Sequence, residues 1–386
     1  MNGSSPIKVL SLIASAELGG AERVMLDVIR FLDRTRYDPW IVVPRPGPLV
    51  GELEALGAQV RVMDLFGRGG FLGRYSQPRD YLRALSGWPQ LVRGLVKLAG
   101  LVNDQKIQII HSHSLKTHIL TCLLSPLVRC RMVWHLHDFY LHRRGFPWFA
   151  LCAEAFPDLL IANSRAVADQ FPRRSRIAVI YNGVDVETFR PSPEERRHHD
   201  GCWIGMVGAF APWKGQHIFV KAAAEVANRI PDATFFLVGD VIYSTAGHRD
   251  YRGELERLVQ QLGLEGRVIF TGFRRDIATV LGDLDIVVHC SVEPEPFGRV
   301  IIEAMACGKP VIAACGGGVN EIVVNGHDGL LIPPGDPYLL AEAILLLARN
   351  PDRRARLGDA ARRRVEERFR IQDQVRLMEQ CYEQLL

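Results

Sequence analysis

The chain has 386 residues, 48% of them apolar and 23% charged, proportions of a folded globular protein that exclude disorder, collagen and coiled coil as global descriptions. A single core does not ordinarily extend over that length, so two domains of roughly 150–200 residues are expected. The net charge of +4 conceals an asymmetry: residues 1–190 carry 24 Lys and Arg against 16 Asp and Glu, and residues 191–386 carry 23 against 27.

Along the first half, short β-branched runs at 8–14, 40–43, 59–63, 107–111, 132–137, 159–162 and 177–180 predict strands. Helical patterns separate them, as at 21–33, where the apolar residues fall at 24, 25, 28, 29 and 32. The stretch 67–89 breaks this rhythm. Around it Arg68, Arg74, Arg79, Arg83 and Arg93 interleave with Phe71, Tyr75, Tyr81 and Trp88. That mixture suits a membrane interface or a sugar-lipid acceptor, and more often marks a plain surface segment. Residues 186–200 hold two prolines and a charge run without apolar period, which reads as a linker. Beyond it, strands are predicted at 203–207, 235–238, 268–270, 286–289 and 311–314, helices at 216–229 and 252–262, and helical patterns from 339 to the end.

Apolar strands alternating with helices predict an α/β protein with two doubly wound parallel sheets. Such sheets bind ligands beyond the carboxyl ends of their strands, and two facing sheets leave a cleft there. The longest apolar candidate for a membrane span, 146–162, is broken by Glu154, Pro157 and Asp158. Residues 9–14 make too short a run for a signal peptide, so a cytoplasmic protein is expected. Eight cysteines without a CxxC spacing read as buried, reduced thiols. The basic first half suits anionic lipid, nucleic acid or a phosphorylated acceptor, and also an ordinary solvated surface.

Several residues sit where chemistry is expected, just after strands. Gly19 and Gly20 follow the first strand and open a helix, where a backbone approaches an anion closely; a turn needs glycine as well. The run GAFAPWKG at 208–215 places Lys214 at a helix start, within reach of a diphosphate. The run EPFGRVIIE at 295–303 is sharper: Pro296 and Gly298 close a loop into a helix, and the amides of Phe297, Gly298, Arg299 and Val300 then form an anion site. Glu295 and Glu303 lie about 80° apart on an ideal helix, so they need not act as a pair; both also suit a helix N-terminus as dipole partners. His111, His113, His135 and His137 cluster at strand ends, but no HExxH or H-x3-H helix accompanies them. His137, followed by Asp138, is the better candidate for hydrogen bonding or acid–base work.

Taken together, Gly19-Gly20-Ala21-Glu22, His137-Asp138, Asn182 to Asp185, Gly208 with Lys214-Gly215, Gly239-Asp240, Thr271 to Phe273, the run at 294–310, Gly317 to Glu321 and Gly329 to Asp336 resemble the retaining glycosyltransferases of family four, of GT-B fold. The resemblance spans about 330 residues in order. It implies a domain at 1–185 on the acceptor side, a linker at 186–200, a donor domain at 201–365 and a last helix within 366–386 crossing back to the first domain. It also implies a UDP- or GDP-sugar donor and no required metal or other cofactor. By resemblance, Glu303 binds the ribose hydroxyls, Glu295 lies against the transferred sugar, and Lys214 with the amides at 297–300 holds the diphosphate. Phe273 lies beside the base, Gly19 and Gly20 approach the donor, and His137 reaches the sugar. Catalytic roles fall to His137, Lys214 and Glu295. The acceptor is a glycan, a lipid-linked sugar or a small molecule, with contact to an anionic inner membrane face and no nucleic-acid partner. One position departs from the family: where arginine often follows the glycine, this chain has Ala209. Arg299 is a substitute cation by position. A non-catalytic nucleotide-sugar binder is the alternative that Ala209 motivates.

Overall fold

The computed structural model describes residues 5–66, 87–142, 145–171, 176–192, 200–241 and 250–386. Most of the arginine- and aromatic-rich stretch (67–86) and the charge run 193–199 lie outside these residues. Two compact units emerge, one of Met1–Asn182 with Ile371–Leu386 and one of Gly183–Arg370.

In the first unit, β1 (Ile7–Leu12), β2 (Tyr37–Val43), β3 (Gln59–Val62), β4 (Ile109–Ser112), β5 (Arg131–Leu136), β6 (Leu159–Ala162) and β7 (Ile177–Val179) form one sheet. Its order is β3-β2-β1-β4-β5-β6-β7, with parallel pairings throughout. Alternation along the strands feeds two cores: Val9, Ile109, Val133 and Ile161 serve one face, and Leu10, Leu12, Val42 and Ile110 the other. The helices are α1 (Gly20–Phe31), α2 (Pro48–Ala55), α3 (Trp88–Asp104), α4 (Leu115–Leu124), α5 (Phe146–Ala155) and α6 (Arg165–Ala168). From α1, Val24 and Val28 enter the first core; Leu95, Leu98 and Val102 of α3 and Leu120 and Leu124 of α4 enter the second. Helices on both faces are why the strands read as continuous apolar runs.

The second unit repeats the plan with β8 (Cys202–Val207), β9 (Ala233–Val238), β10 (Val268–Gly272), β11 (Ile286–His289), β12 (Val311–Ala314) and β13 (Leu330–Ile332). These run in the order β10-β9-β8-β11-β12-β13, again all parallel. Both sheets therefore reverse direction at their first strand, as expected of doubly wound α/β units. Around the second sheet lie α7 (Gln216–Arg229), α8 (Tyr251–Gln261), α9 (Ile277–Asp283), α10 (Arg299–Ala306), α11 (Val319–Ile322), α12 (Pro337–Ala348) and α13 (Pro351–Arg368). Strand β13, three residues long, is too short to show a pattern of its own.

The last helix, α14 (Ile371–Leu385), belongs to the first unit. It buries Ile371, Val375, Met378 and Tyr382 beside Val9, Val28 and Ile109. The passage between units falls at Arg370 rather than at 365, because α13 buries Leu357, Ala360, Ala361 and Val365 up to its end. The expected linker also begins too early at 186. The Arg362 guanidinium donates to the carbonyls of Val186, Phe189 and Ala306 and so fastens that segment into the second unit. Cysteine burial is uneven: Cys202, Cys290 and Cys307 are buried, and the remaining five are half-buried. No helix among the described residues is long and apolar enough to cross a membrane.

Candidate active site

The residues singled out in the second half gather at the carboxyl ends of β8, β10, β11 and β12. After β8 the chain makes a short 3-10 turn, Pro212–Lys214, and enters α7 through Gly215. Gly215 has φ +83°, and a Cβ there would stand 2.0 Å from the Cys290 carbonyl oxygen, so only glycine fits. Two further ties brace the loop: the Gln216 carboxamide donates to the Ala209 carbonyl at 2.9 Å, and the Val292 amide to the Trp213 carbonyl at 2.8 Å. This fixes the base of Lys214 against the loop that follows β11.

Lys214 is thereby aimed at Glu295. Its ammonium donates to both carboxylate oxygens, at 2.8 and 2.7 Å. Ser291 donates a third hydrogen bond at 3.0 Å, and His289 Nε2 lies 3.5 Å away. Burial pushes the Glu295 carboxyl up, but the Lys214 charge and the hydrogen bonds from His289 and Lys214 outweigh it and hold the group well below the usual range. The backbone is pinned too, since the Gly318 amide donates to the Glu295 carbonyl at 2.9 Å. A Cβ at Gly318 would fall 2.4 Å from the Pro296 oxygen, which is why the turn after β12 needs a small residue there.

Helix α10 starts immediately beyond. Gly298 caps it at φ +103°, and Phe297 is buried edge-to-face against Phe369, 6.1 Å between centroids. Anchoring Phe297 orients the first turn, where Arg299 and Val300 are half-buried; the leading N–H groups of a helix have no partner within it. One turn on, Glu303 is nearly buried and accepts a 2.8 Å hydrogen bond from Arg299 Nε. Glu295 and Glu303 thus serve separate cations. Arg299, the substitute cation by position, is engaged by Glu303. Phe273, just past β10, is 49% exposed and free to stack on a planar ring.

The other candidates lie in the first unit. Gly19 is the N-cap of α1, and nothing stands within 4 Å of a Cβ built on Gly20. The protein itself therefore sets no steric demand for glycine at position 20, as a close-lying ligand would. His137, after β5, stacks on His135 with 3.9 Å between centroids, and its Nε2 lies 3.4 Å from His113 Nδ1. Burial lowers its pKa to about 4, so it is a neutral hydrogen-bonding group near pH 7. His289 and Ser291 carry no motif of their own in the sequence. His289 ends β11, and the same rule of strand carboxyl ends that marked His137 points to it.

Comparison with known proteins fits this geometry. The family described as Glycosyl transferases group 1 matches residues 191–364, and that described as Glycosyltransferase Family 4 matches residues 18–188. The chain belongs to the group 1 glycosyltransferases. Among solved structures, this glycosyltransferase is similar to HepE of Anabaena in complex with UDP: 31% identity, 98% of this chain, 100% of that one and a TM-score of 0.83. HepE was also solved with UDP-glucose, at a TM-score of 0.82. Two named relatives are a D-inositol 3-phosphate glycosyltransferase of Corynebacterium urealyticum and an α-1,3-galactosyltransferase of Escherichia coli acting on GlcNAc-diphosphoundecaprenol with UDP-Gal. The first is 28% identical over 81% of this chain and 78% of its own. The second is 26% identical over 86% and 85%. The fold is GT-B, as the sequence led us to expect, and the protein is a transferase.

Proposed function

We propose that this glycosyltransferase moves a hexosyl unit from a uridine diphosphate sugar to a hydroxyl acceptor, keeping the anomeric configuration. The observation that carries this reading is the Lys214–Glu295 pair beside the start of α10. A cation, a carboxylate held ionised and a helix N-terminus lie together at the strand ends, where a diphosphate needs positive charge and a sugar needs an acceptor of hydrogen bonds. HepE, 31% identical over nearly the whole chain, was solved with UDP-glucose, which supports uridine as the base.

In this reading Lys214 and the amides of Phe297, Gly298, Arg299 and Val300 take the diphosphate. Glu295 orients the sugar, Glu303 holds the ribose hydroxyls, and Phe273 stacks on the base. Gly19 and Gly20 give backbone access to the donor, and neutral His137 hydrogen-bonds a sugar hydroxyl. During transfer the bond from the anomeric carbon to the phosphate oxygen breaks and one to the acceptor oxygen forms on the same face. The acceptor proton passes to the departing phosphate oxygen. Catalysis then consists of stabilising that oxygen and aligning the acceptor, and the scheme needs no metal.

For the acceptor we favour a lipid-linked sugar at a membrane surface. The E. coli relative acts on such a compound. On this chain α3 exposes Trp88, Val92 and Val96 beside Arg93 and Lys97; α4 exposes Ile119 and Leu123; α5 exposes Trp148 and Leu151, Trp148 by 76%. The apolar stripe of α3, flanked by cations, suits the headgroup region of an anionic bilayer, and the exposed apolar residues of α4 and α5 add to that surface. The test of transfer itself is to incubate the protein with UDP-glucose and follow the released or transferred glucose by NMR. An α-configured first product is expected. A β-configured one would overturn retention, and no UDP release would overturn turnover.

A further inference from the structure

The first unit holds a group of imidazoles that the transfer scheme does not use. His111 in β4, His113 just after it and His135 in β5 are all buried, and a ring nitrogen from each lies within 4.8 Å of the others. Their hydrogen bonds sort the nitrogens in one sense. His111 Nδ1 stands 2.6 Å from the Tyr382 hydroxyl, and His113 Nδ1 stands 3.4 Å from His137 Nε2. Nε2 of His111, Nε2 of His113 and both nitrogens of His135 have no partner among the described residues. A buried polar atom left unsatisfied costs about 1–3 kcal/mol, so several in one place call for a ligand. A cavity of about 20 Å³ adjoins all three rings, with Ser11 and Met378 also in its wall. That is room for one small atom and its contacts.

We propose that His111, His113 and His135 bind a single transition-metal dication of the zinc type, with a solvent oxygen as fourth ligand. Three imidazole nitrogens select zinc, cobalt or nickel over magnesium and calcium, which demand oxygen. Tetrahedral zinc holds its ligand nitrogens about 3.3 Å apart, so on binding the three rings would have to turn and close in around the ion. Among the described residues no carboxylate joins the three rings to offset the charge; a bound hydroxide does so in three-histidine zinc sites. With Nε2 on the metal, His111 Nδ1–H donates to the Tyr382 hydroxyl and His113 Nδ1–H donates to His137 Nε2. The ion therefore fixes the tautomer of His137, leaving its Nδ1–H as the donor.

The experiment takes the full chain, strips it with a chelator and titrates it with Zn²⁺, then with Co²⁺ as the spectroscopic probe. One ion per chain is expected, with the visible absorption of four-coordinate cobalt and a thermal midpoint that rises with metal concentration. Tyr382→Phe should weaken binding by roughly 10–100-fold with the fold intact. The double variant His113→Ala/His135→Ala should lose the cobalt spectrum, while His142→Ala, at an exposed histidine, should keep it. If either buried variant fails to fold, the wild-type titration still decides. Absent stoichiometric binding, an unmoved midpoint, or a spectrum that survives the double variant overturns the proposal.

Discussion

Both oxygens of the Glu295 carboxylate accept hydrogen bonds from the Lys214 ammonium, at 2.8 and 2.7 Å, and the Ser291 hydroxyl supplies a third at 3.0 Å. The pair unites the residue proposed for the diphosphate with the one proposed for the sugar. A donor that draws Lys214 toward its phosphates leaves Glu295 free to take sugar hydroxyls in exchange.

The pair also sets a pH dependence. Glu295 is held below the ordinary carboxyl range, so its contribution to stability is full above the unfolded value of about 4.3 and fades only as pH falls through the depressed folded value. In Lys214→Met, burial dominates and raises the carboxyl, so that variant gains relative stability as pH falls. Its deficit against wild type, about 1–3 kcal/mol at pH 7 for a partly buried pair that loses one partner, should narrow by pH 5. Urea unfolding at the two pH values measures the gap; a deficit that is constant or widens contradicts the pairing.

Glu303 should read the ribose. The wild type is expected to bind UDP roughly tenfold or more tighter than 2′,3′-dideoxy-UDP, the worth of one charge-assisted hydrogen bond. Glu303→Ala should bind both about equally weakly. Discrimination that persists in the variant assigns the ribose to another residue.

Two glycines should behave in opposite ways. Gly20→Ala meets open space and should leave thermal stability within about 0.5 kcal/mol of wild type while weakening donor binding. Gly215→Ala drives a Cβ to within 2.0 Å of the Cys290 oxygen at φ +83°, and should cost at least about 1–3 kcal/mol of stability. Thermal melts paired with UDP titration separate the two cases.

Ala209 follows β8 on the loop that carries Lys214. Ala209→Arg restores a planar, bidentate cation and should tighten UDP binding by about tenfold. Unchanged or weaker binding would show that the arginine has no phosphate to reach from this backbone.

Trp148 and Trp88 test the acceptor side. Vesicles containing anionic lipid should co-sediment the protein, and Trp148→Ser with Trp88→Ser should reduce the bound fraction several-fold. Equal binding to neutral vesicles, or none to either, removes the membrane from the acceptor proposal.

Much of the fold was legible because parallel strands covered on both faces announce themselves as apolar runs. Val9 and Leu10 enter opposite cores, as alternation requires. The site was legible where glycine and proline punctuate strand ends, at Lys214-Gly215 and Pro296 to Gly298. Pairings were not. Nothing local says that Lys214 meets Glu295, 81 positions away, or that Arg362 fastens the segment at 186–189. The histidines show the same limit. Their spacing along the chain gives no metal motif, yet pairing of β4 with β5 brings His111, His113 and His135 within 4.8 Å. Short β13 and the true end of α13 were lost because boundaries depend on tertiary burial, not on pattern.

The most direct test of the central claim is a calorimetric titration of the purified protein with UDP and, separately, GDP. Saturable binding of UDP at about micromolar to sub-millimolar strength, stronger than GDP and weakened roughly tenfold or more in Glu303→Ala, is the expected result. Binding of neither nucleotide, or equal binding by wild type and Glu303→Ala, would contradict a donor site built on Lys214, Glu295 and the start of α10.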